Sequence, residues 1–134
     1  MQESSKENTE MVLGLLRDNL LTLHKTLVDI ERESFERANG QLRSVDFLNL
    51  LLQHPDFSWL RKISELIVWI DEVLDPKEQT AEVERKNVFE HARKLLTPSE
   101  LGEDFERKYQ DALQRNPDVI MAHQDVRKVL KLLP

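Results

Sequence analysis

Apolar residues recur along the first part of the chain in alternating steps of three and four positions. The row consists of Leu13, Leu16, Leu20, Leu23, Leu27 and Ile30. This spacing puts the side chains on one face of an α-helix, and no proline interrupts it. A second row of Leu21, Val28 and Phe35 widens that face. The pattern predicts one long N-terminal helix that other helices must cover.

Helix start and stop signals divide the rest of the chain. Asn39-Gly40 predicts a left-handed cap that ends the first helix, and Asn116-Pro117 predicts a capped helix start. The letters TPSE, from Thr97, predict a capping box with proline at the first helical position. The predicted helices span about 8–38, 44–54, 56–74, 75–96, 97–115 and 116–133.

No stretch of the sequence alternates apolar and polar residues as a β-strand would. We therefore predict an all-α, single-domain helical bundle of five to six helices with one long N-terminal helix. The domain covers residues 1–134, of which residues 1–7 are expected to be disordered or frayed. The third helix is apolar on most sides, because Val68 and Trp69 interrupt its polar face. This pattern predicts that the third helix lies at the centre of the bundle.

The composition and the charge of the chain argue against several classes of function. Charged residues make up 33% of the 134 residues, and there is no cysteine, which excludes disulfides and zinc–thiolate sites. The net charge is −6, all of it in residues 1–76, and no basic stripe offsets it, which argues against nucleic-acid binding. The longest apolar run, 66–70, is too short for a membrane span. The start of the chain has no signal-peptide pattern, so we expect a cytoplasmic protein.

Three stretches of the chain carry a resemblance: LHKTLVDIERESFERANG, HPDFSWLRKISELIVWIDEVLD and LLTPSELGEDFERKYQDALQRNPDVIMAH. In these stretches the chain resembles a family of small, functionally uncharacterised bacterial all-helical proteins. The resemblance covers most of residues 20–124. It implies a bacterial origin and an all-helical fold, and it implies no activity, substrate or site residue.

Histidines and carboxylates raise the possibility of a metal site between helices. His24 and Glu31 lie seven residues apart on one edge of the first helix, and Asp71 and Glu72 on the third helix are in a position to face them. A mononuclear site between the first and third helices is therefore the alternative function. The Glu-x-x-His pattern of di-iron bundles and the His-Glu-x-x-His zinc motif are both absent. We therefore assign no metal ligand and no cofactor in the leading hypothesis.

The two tryptophans suggest different roles. Trp59, near the start of the third helix, is expected in the core. Trp69 shares its stripe with Lys62 and Glu65, so either another helix covers it or it anchors an interface with a partner. A small-molecule pocket between the first, third and sixth helices, lined by either tryptophan, is a further alternative.

No catalytic signature is present in the sequence. The nucleophile elbow, the phosphate-binding glycine loop and the dinucleotide fingerprint are all missing. His91 and His123 are interpreted as satisfied residues at helix boundaries. We therefore expect a non-enzymatic protein-interaction module that binds a protein partner or forms a homo-oligomer. Trp69 is its candidate interface residue, and neither nucleic acid nor membrane is an expected partner.

Overall fold

The computed structural model describes the backbone of residues 2–77, 80–97 and 104–133, and the side chains in these ranges from Lys6 onward. These residues form six α-helices and one 3-10 helix, and none of them lies in a strand. The prediction of an all-α bundle with a long first helix is confirmed. The α-helices are α1 (Gln2–Asn39), α2 (Ser44–Gln53), α3 (Arg61–Leu74), α4 (Glu82–Leu96), α5 (Asp104–Arg115) and α6 (Pro117–Leu130), and the 3-10 helix is Pro55–Leu60.

The first helix, not the third, is the central element of the bundle. α1 packs along its length against α3 and α6, and α4 and the 3-10 helix also contact it. The predicted apolar row is almost completely buried from Leu13 to Leu27. The 38 residues of α1 give it a length of about 57 Å, which makes it the longest of the described helices. The prediction that the third helix is central was wrong, because the longer α1 contacts more of the other elements than α3 does.

The helices that flank α1 run antiparallel to it. Lys6, near the start of α1, lines a cavity with Leu74 at the end of α3. Asn8 lies beside Leu133, just beyond α6, whereas Glu31 lies beside Asn116 at the start of α6. α4 contacts α1, α3 and α6. The resulting four-helix arrangement is extended at the C-terminal end of α1 by α2, the 3-10 helix and α5.

Local capping signals predicted two of the boundaries correctly. Gly40 has φ of 89°, the left-handed conformation that glycine adopts readily. Its N–H donates a hydrogen bond to Glu36 O at 2.8 Å. The Asn116 side chain accepts a hydrogen bond from Asp118 N at 2.8 Å and caps α6 as predicted. α1 begins at Gln2, six residues before its predicted start.

The third predicted helix is two elements. Residues 55–60 form a 3-10 helix before α3 begins at Arg61. The Ser58 hydroxyl donates to Pro55 O at 2.8 Å, and the His54 ring accepts from Asp56 N at 3.1 Å. In a 3-10 turn, residues three apart lie on one side, so Phe57 and Leu60 both face the core.

The fourth predicted helix begins later than expected. Asp75 Oδ1 accepts from Lys77 N at 2.9 Å, so the aspartate closes a turn rather than starting a helix. Thr97, predicted to cap the fifth helix, directly follows the end of α4, and its hydroxyl donates to Arg93 O at 2.6 Å. The remainder of the predicted capping box, residues 98–100, lies outside the described residues.

Candidate interaction surface

The α2 helix carries three exposed apolar side chains on one face. Val45, Leu48 and Leu52 are 56%, 53% and 61% exposed. From the helical repeat, these positions lie within about 60° of one another around the helix axis. We call these three residues the α2 stripe. Scattered exposed apolar residues are ordinary, but a continuous helical stripe is typical of an interaction surface.

Charged residues are rare along α2. Asp46 is the sole charged residue between Ser44 and Gln53, and it pairs with Arg43 at 2.9 Å. The residues that border the stripe, such as Asn49, are polar and neutral. Exposed helices in this chain otherwise carry many charges, whereas the centres of protein interfaces are depleted of them. The composition of α2 is therefore typical of a surface that a binding partner covers.

Aromatic packing fixes α2 to the rest of the protein. Phe47, on the inner face of α2, meets Phe57 of the 3-10 helix edge-on with ring centroids 5.8 Å apart. Phe35 near the end of α1 contacts the same Phe57 ring at 5.8 Å. The Arg32 guanidinium lies 5.1 Å from the Phe47 ring centroid, at cation–π distance. α2 is consequently held on one side while the α2 stripe faces outward.

The connection between α1 and α2 is anchored by side chains of α1. Glu36 Oε2 accepts a hydrogen bond from Leu42 N at 2.8 Å, and Arg32 Nη2 donates to Leu42 O at 2.9 Å. Arg32 and Glu36 also form an ion pair at 3.1 Å. Both polar groups of the Leu42 backbone are thus satisfied by α1. This bracing fixes the direction in which α2 leaves α1.

A shallow apolar groove runs beside the α2 stripe. Its volume is about 560 Å³, and its walls come from the end of α1, the connection and α2, including Phe35, Leu42 and Leu50. Asn49 lines the groove and also borders the stripe around the helix. The exposed side of α2 therefore consists of the α2 stripe and the apolar groove next to it.

Trp69, the interface residue expected from the sequence, is half-buried. Its ring meets the ring of His91 on α4 edge-on, with centroids 5.4 Å apart, and it packs against the core. α4 therefore covers part of this side chain. Trp59 is buried as predicted, and its ring packs against Phe105 of α5.

The four residues of the alternative metal site are not brought together. Asp71 accepts a hydrogen bond from Arg17 Nε, and Glu72 is exposed on α3. Glu31 lies about 21 Å along α1 from Arg17, beside α5, where burial raises the pKa of its carboxyl. Half-burial lowers the pKa of His24. Within the described residues, no group of three or more His, Asp or Glu side chains is placed to hold a metal ion.

One buried pair of polar side chains could not be predicted from the sequence. Tyr109 Oη lies 2.6 Å from His123 Nδ1, and both side chains are buried between α5 and α6. His123, predicted at a helix boundary, is satisfied by Tyr109 but lies inside the core. The 14-residue separation crosses a helix connection, so no periodic pattern could have revealed the contact.

Comparisons of the chain with protein-family models, with curated proteins and with solved structures find no match. Across the part of the chain that the structure describes, no helix is both long and apolar enough to cross a membrane. Function must therefore be argued from the chemistry of the surfaces, of which the α2 stripe and its groove form the clearest candidate.

Proposed function

We propose that this chain is a non-enzymatic interaction module of the cytoplasm that self-associates through the α2 stripe. The observation that carries the proposal is an apolar face, continuous over two helical turns, on a helix with a single charged residue. The occupant proposed is a second copy of the chain. The sequence resemblance to small bacterial helical proteins fits such a role but supplies no partner.

The geometry of the α2 stripe favours pairing with an identical stripe. Leu48 lies between Val45 and Leu52, at spacings of three and four residues. In an antiparallel pair of α2 helices related by a two-fold axis, Val45 faces Leu52 of the other copy, and the two Leu48 side chains lie next to each other near the axis. Such a surface is self-complementary, which a two-fold dimer requires. The charge-poor flanks mean that few ionic groups lose water on association.

The size of the surface sets the expected strength of association. A stable dimer buries about 800 Å² on each partner, which is more than three side chains provide. The adjoining groove, lined by Phe35 and Leu50, adds further apolar area. Each buried leucine contributes about 1.5–3 kcal/mol relative to an exposed one. We therefore expect an equilibrium in the micromolar range rather than an obligate dimer.

Light scattering over a dilution series tests this proposal. The wild-type chain is expected to approach twice its mass of 15.8 kDa at high concentration and to dissociate on dilution. Leu48→Lys removes the central apolar contact and places two like charges near the axis. Its dissociation constant should rise at least about tenfold. Met121→Lys, a comparably exposed apolar position on α6, is the matched control and should leave the dissociation constant unchanged.

A mixing experiment identifies the antiparallel arrangement. Leu48→Lys and Leu48→Glu are each expected to be monomeric because the two copies of position 48 lie next to each other near the axis. An equimolar mixture should recover association, since opposite charges then meet. A wild-type chain that stays monomeric at all concentrations would refute self-association. Equal loss in Met121→Lys and Leu48→Lys would show that α2 is not the specific surface.

A further inference from the structure

Arg85 on α4 is a buried cation that forms no ion pair with any of the residues that the structure describes. The residue is 5% exposed, and its Nη1 donates to Thr80 O at 2.7 Å. Its Nε is fully buried with no hydrogen-bond acceptor, and no carboxylate among the described residues forms an ion pair with it. Arginine is almost never buried to this degree unless it is paired. The guanidinium therefore keeps at least one N–H donor without a partner.

This residue lines a cavity at the N-terminal end of α1. The cavity has a volume of about 570 Å³ and lies between α1, the end of α3 and the start of α4. Among the described residues, its charged lining comprises Lys6, Glu10, Asp75 and Arg85. One oxygen of Asp75 is engaged by Lys77 N, and Glu10 lies one helical turn from Lys6. Neither carboxylate is an ion-pair partner of the buried guanidinium.

The position of Arg85 along α4 strengthens the case for an anion. Arg85 is the fourth residue of the helix that begins at Glu82. The positive end of the helix dipole lies there, which disfavours a cation and favours an anion. A bound anion would therefore compensate the guanidinium and interact favourably with the positive end of the helix dipole.

We propose that this cavity binds a small molecule that carries a carboxylate, with Arg85 as the principal contact. A guanidinium presents paired N–H donors in a fork that matches the two oxygens of a carboxylate. The volume lies within the usual range for small-molecule sites. Glu10 and Asp75 repel multiply charged anions, so a polyphosphate does not fit. Lys6 supplies a second positive charge at the entrance.

Nuclear magnetic resonance of the whole ¹⁵N-labelled chain tests the site, with sodium acetate as the probe. Acetamide has the same shape without the charge, and sodium chloride controls for ionic strength. Acetate is expected to shift the Nε–H resonance of Arg85 and the backbone amides of 80–85 in a saturable manner. Acetamide and chloride should not shift them. Equal responses to all three solutes would overturn the proposal.

Two arginine variants test whether Arg85 is responsible for the acetate response. Arg85→Met removes the charge and keeps the length of the side chain, so the saturable acetate response should vanish. Arg107→Met removes an exposed arginine on α5 and should keep it. Persistence of the response in Arg85→Met would overturn the proposal. If Arg85→Met does not fold, the Nε–H resonance of Arg85 is assigned in the wild-type chain instead. An Arg85 signal that stays unshifted under saturating acetate would refute the proposed site.

Discussion

The hydrogen bond between Tyr109 and His123 should contribute measurably to stability. Burial raises the pKa of Tyr109 far above its ordinary range and lowers the pKa of His123. Both side chains are therefore neutral near neutral pH, and the hydrogen bond between Tyr109 Oη and His123 Nδ1 joins two neutral groups. The Tyr109 ring also stacks on Phe105, with centroids 5.4 Å apart and an interplanar angle of 12°.

Tyr109→Phe isolates the hydroxyl from the ring. Phenylalanine preserves the stack on Phe105 and loses the hydroxyl, leaving Nδ1 of His123 buried without its partner. A buried polar atom left unpartnered costs about 1–3 kcal/mol, so we expect the free energy of unfolding to fall by that amount. The double variant Tyr109→Phe/His123→Leu removes both partners and should recover part of the loss, because no unpaired polar atom remains.

Urea unfolding followed by circular dichroism measures these differences, with the midpoint and slope fitted for each variant. Thr22→Val is the control, since it removes an exposed hydroxyl that bonds to the Asp18 carbonyl. A surface change of this kind should alter the unfolding free energy by no more than about 0.5 kcal/mol. If Tyr109→Phe matches the control, the hydrogen bond does not stabilise the fold and the reasoning fails.

Three further outcomes follow from burial and charge. The folded pKa of His123 lies below its ordinary value of 6.5, so the unfolded chain binds a proton first. The unfolding free energy should therefore fall as pH drops below about 6.5, and less so in His123→Gln in pH-dependent urea melts. Leu20→Ala, at 0% exposure, should cost about 2–5 kcal/mol in urea melts, whereas Leu21→Ala, at 41%, should cost under about 1 kcal/mol. Ile67→Ala should destabilise by about 2–5 kcal/mol in urea melts, and Trp69→Ala by less, because the Trp69 ring is only half-buried; equal losses would place Trp69 in the core.

Features governed by neighbouring residues were predictable from the sequence. Gly40 and Asn116 cap their helices through contacts within four residues, so composition at those positions was sufficient. The buried row of α1 was predictable because helical period alone selects one face. The 3-10 helix was missed because the Ser58 hydroxyl and the packing of Phe57 shift the balance between two helical geometries that share one sequence pattern.

Features that depend on which helices pack together could not be predicted from the sequence. α2 is apolar around most of its circumference, and the sequence could not decide that Phe47 would face inward while Leu48 faces outward. Arg85 sits in a stretch that looks uniformly polar, yet the fold buries it. Asp71, which the alternative metal site placed opposite His24, instead accepts a hydrogen bond from Arg17 on the same face of α1.

The α2 stripe and the Arg85 cavity lie at opposite ends of α1. Phe35 borders the groove beside α2, and Glu10 lines the cavity. The helical rise puts these two residues about 38 Å apart along α1. Sites this far apart with no shared side chain are expected to act independently, with effects that add to within about 0.5 kcal/mol.

This independence gives a final prediction that uses variants already described. Leu48→Lys should leave the acetate response at Arg85 unchanged, and Arg85→Met should leave the dissociation constant of self-association unchanged. The measurements are the acetate titration by magnetic resonance and the dilution series by light scattering. A shift in either constant would contradict independence. Because α1 is the one described element that reaches both sites, it would then have to relay the change from one end of the bundle to the other.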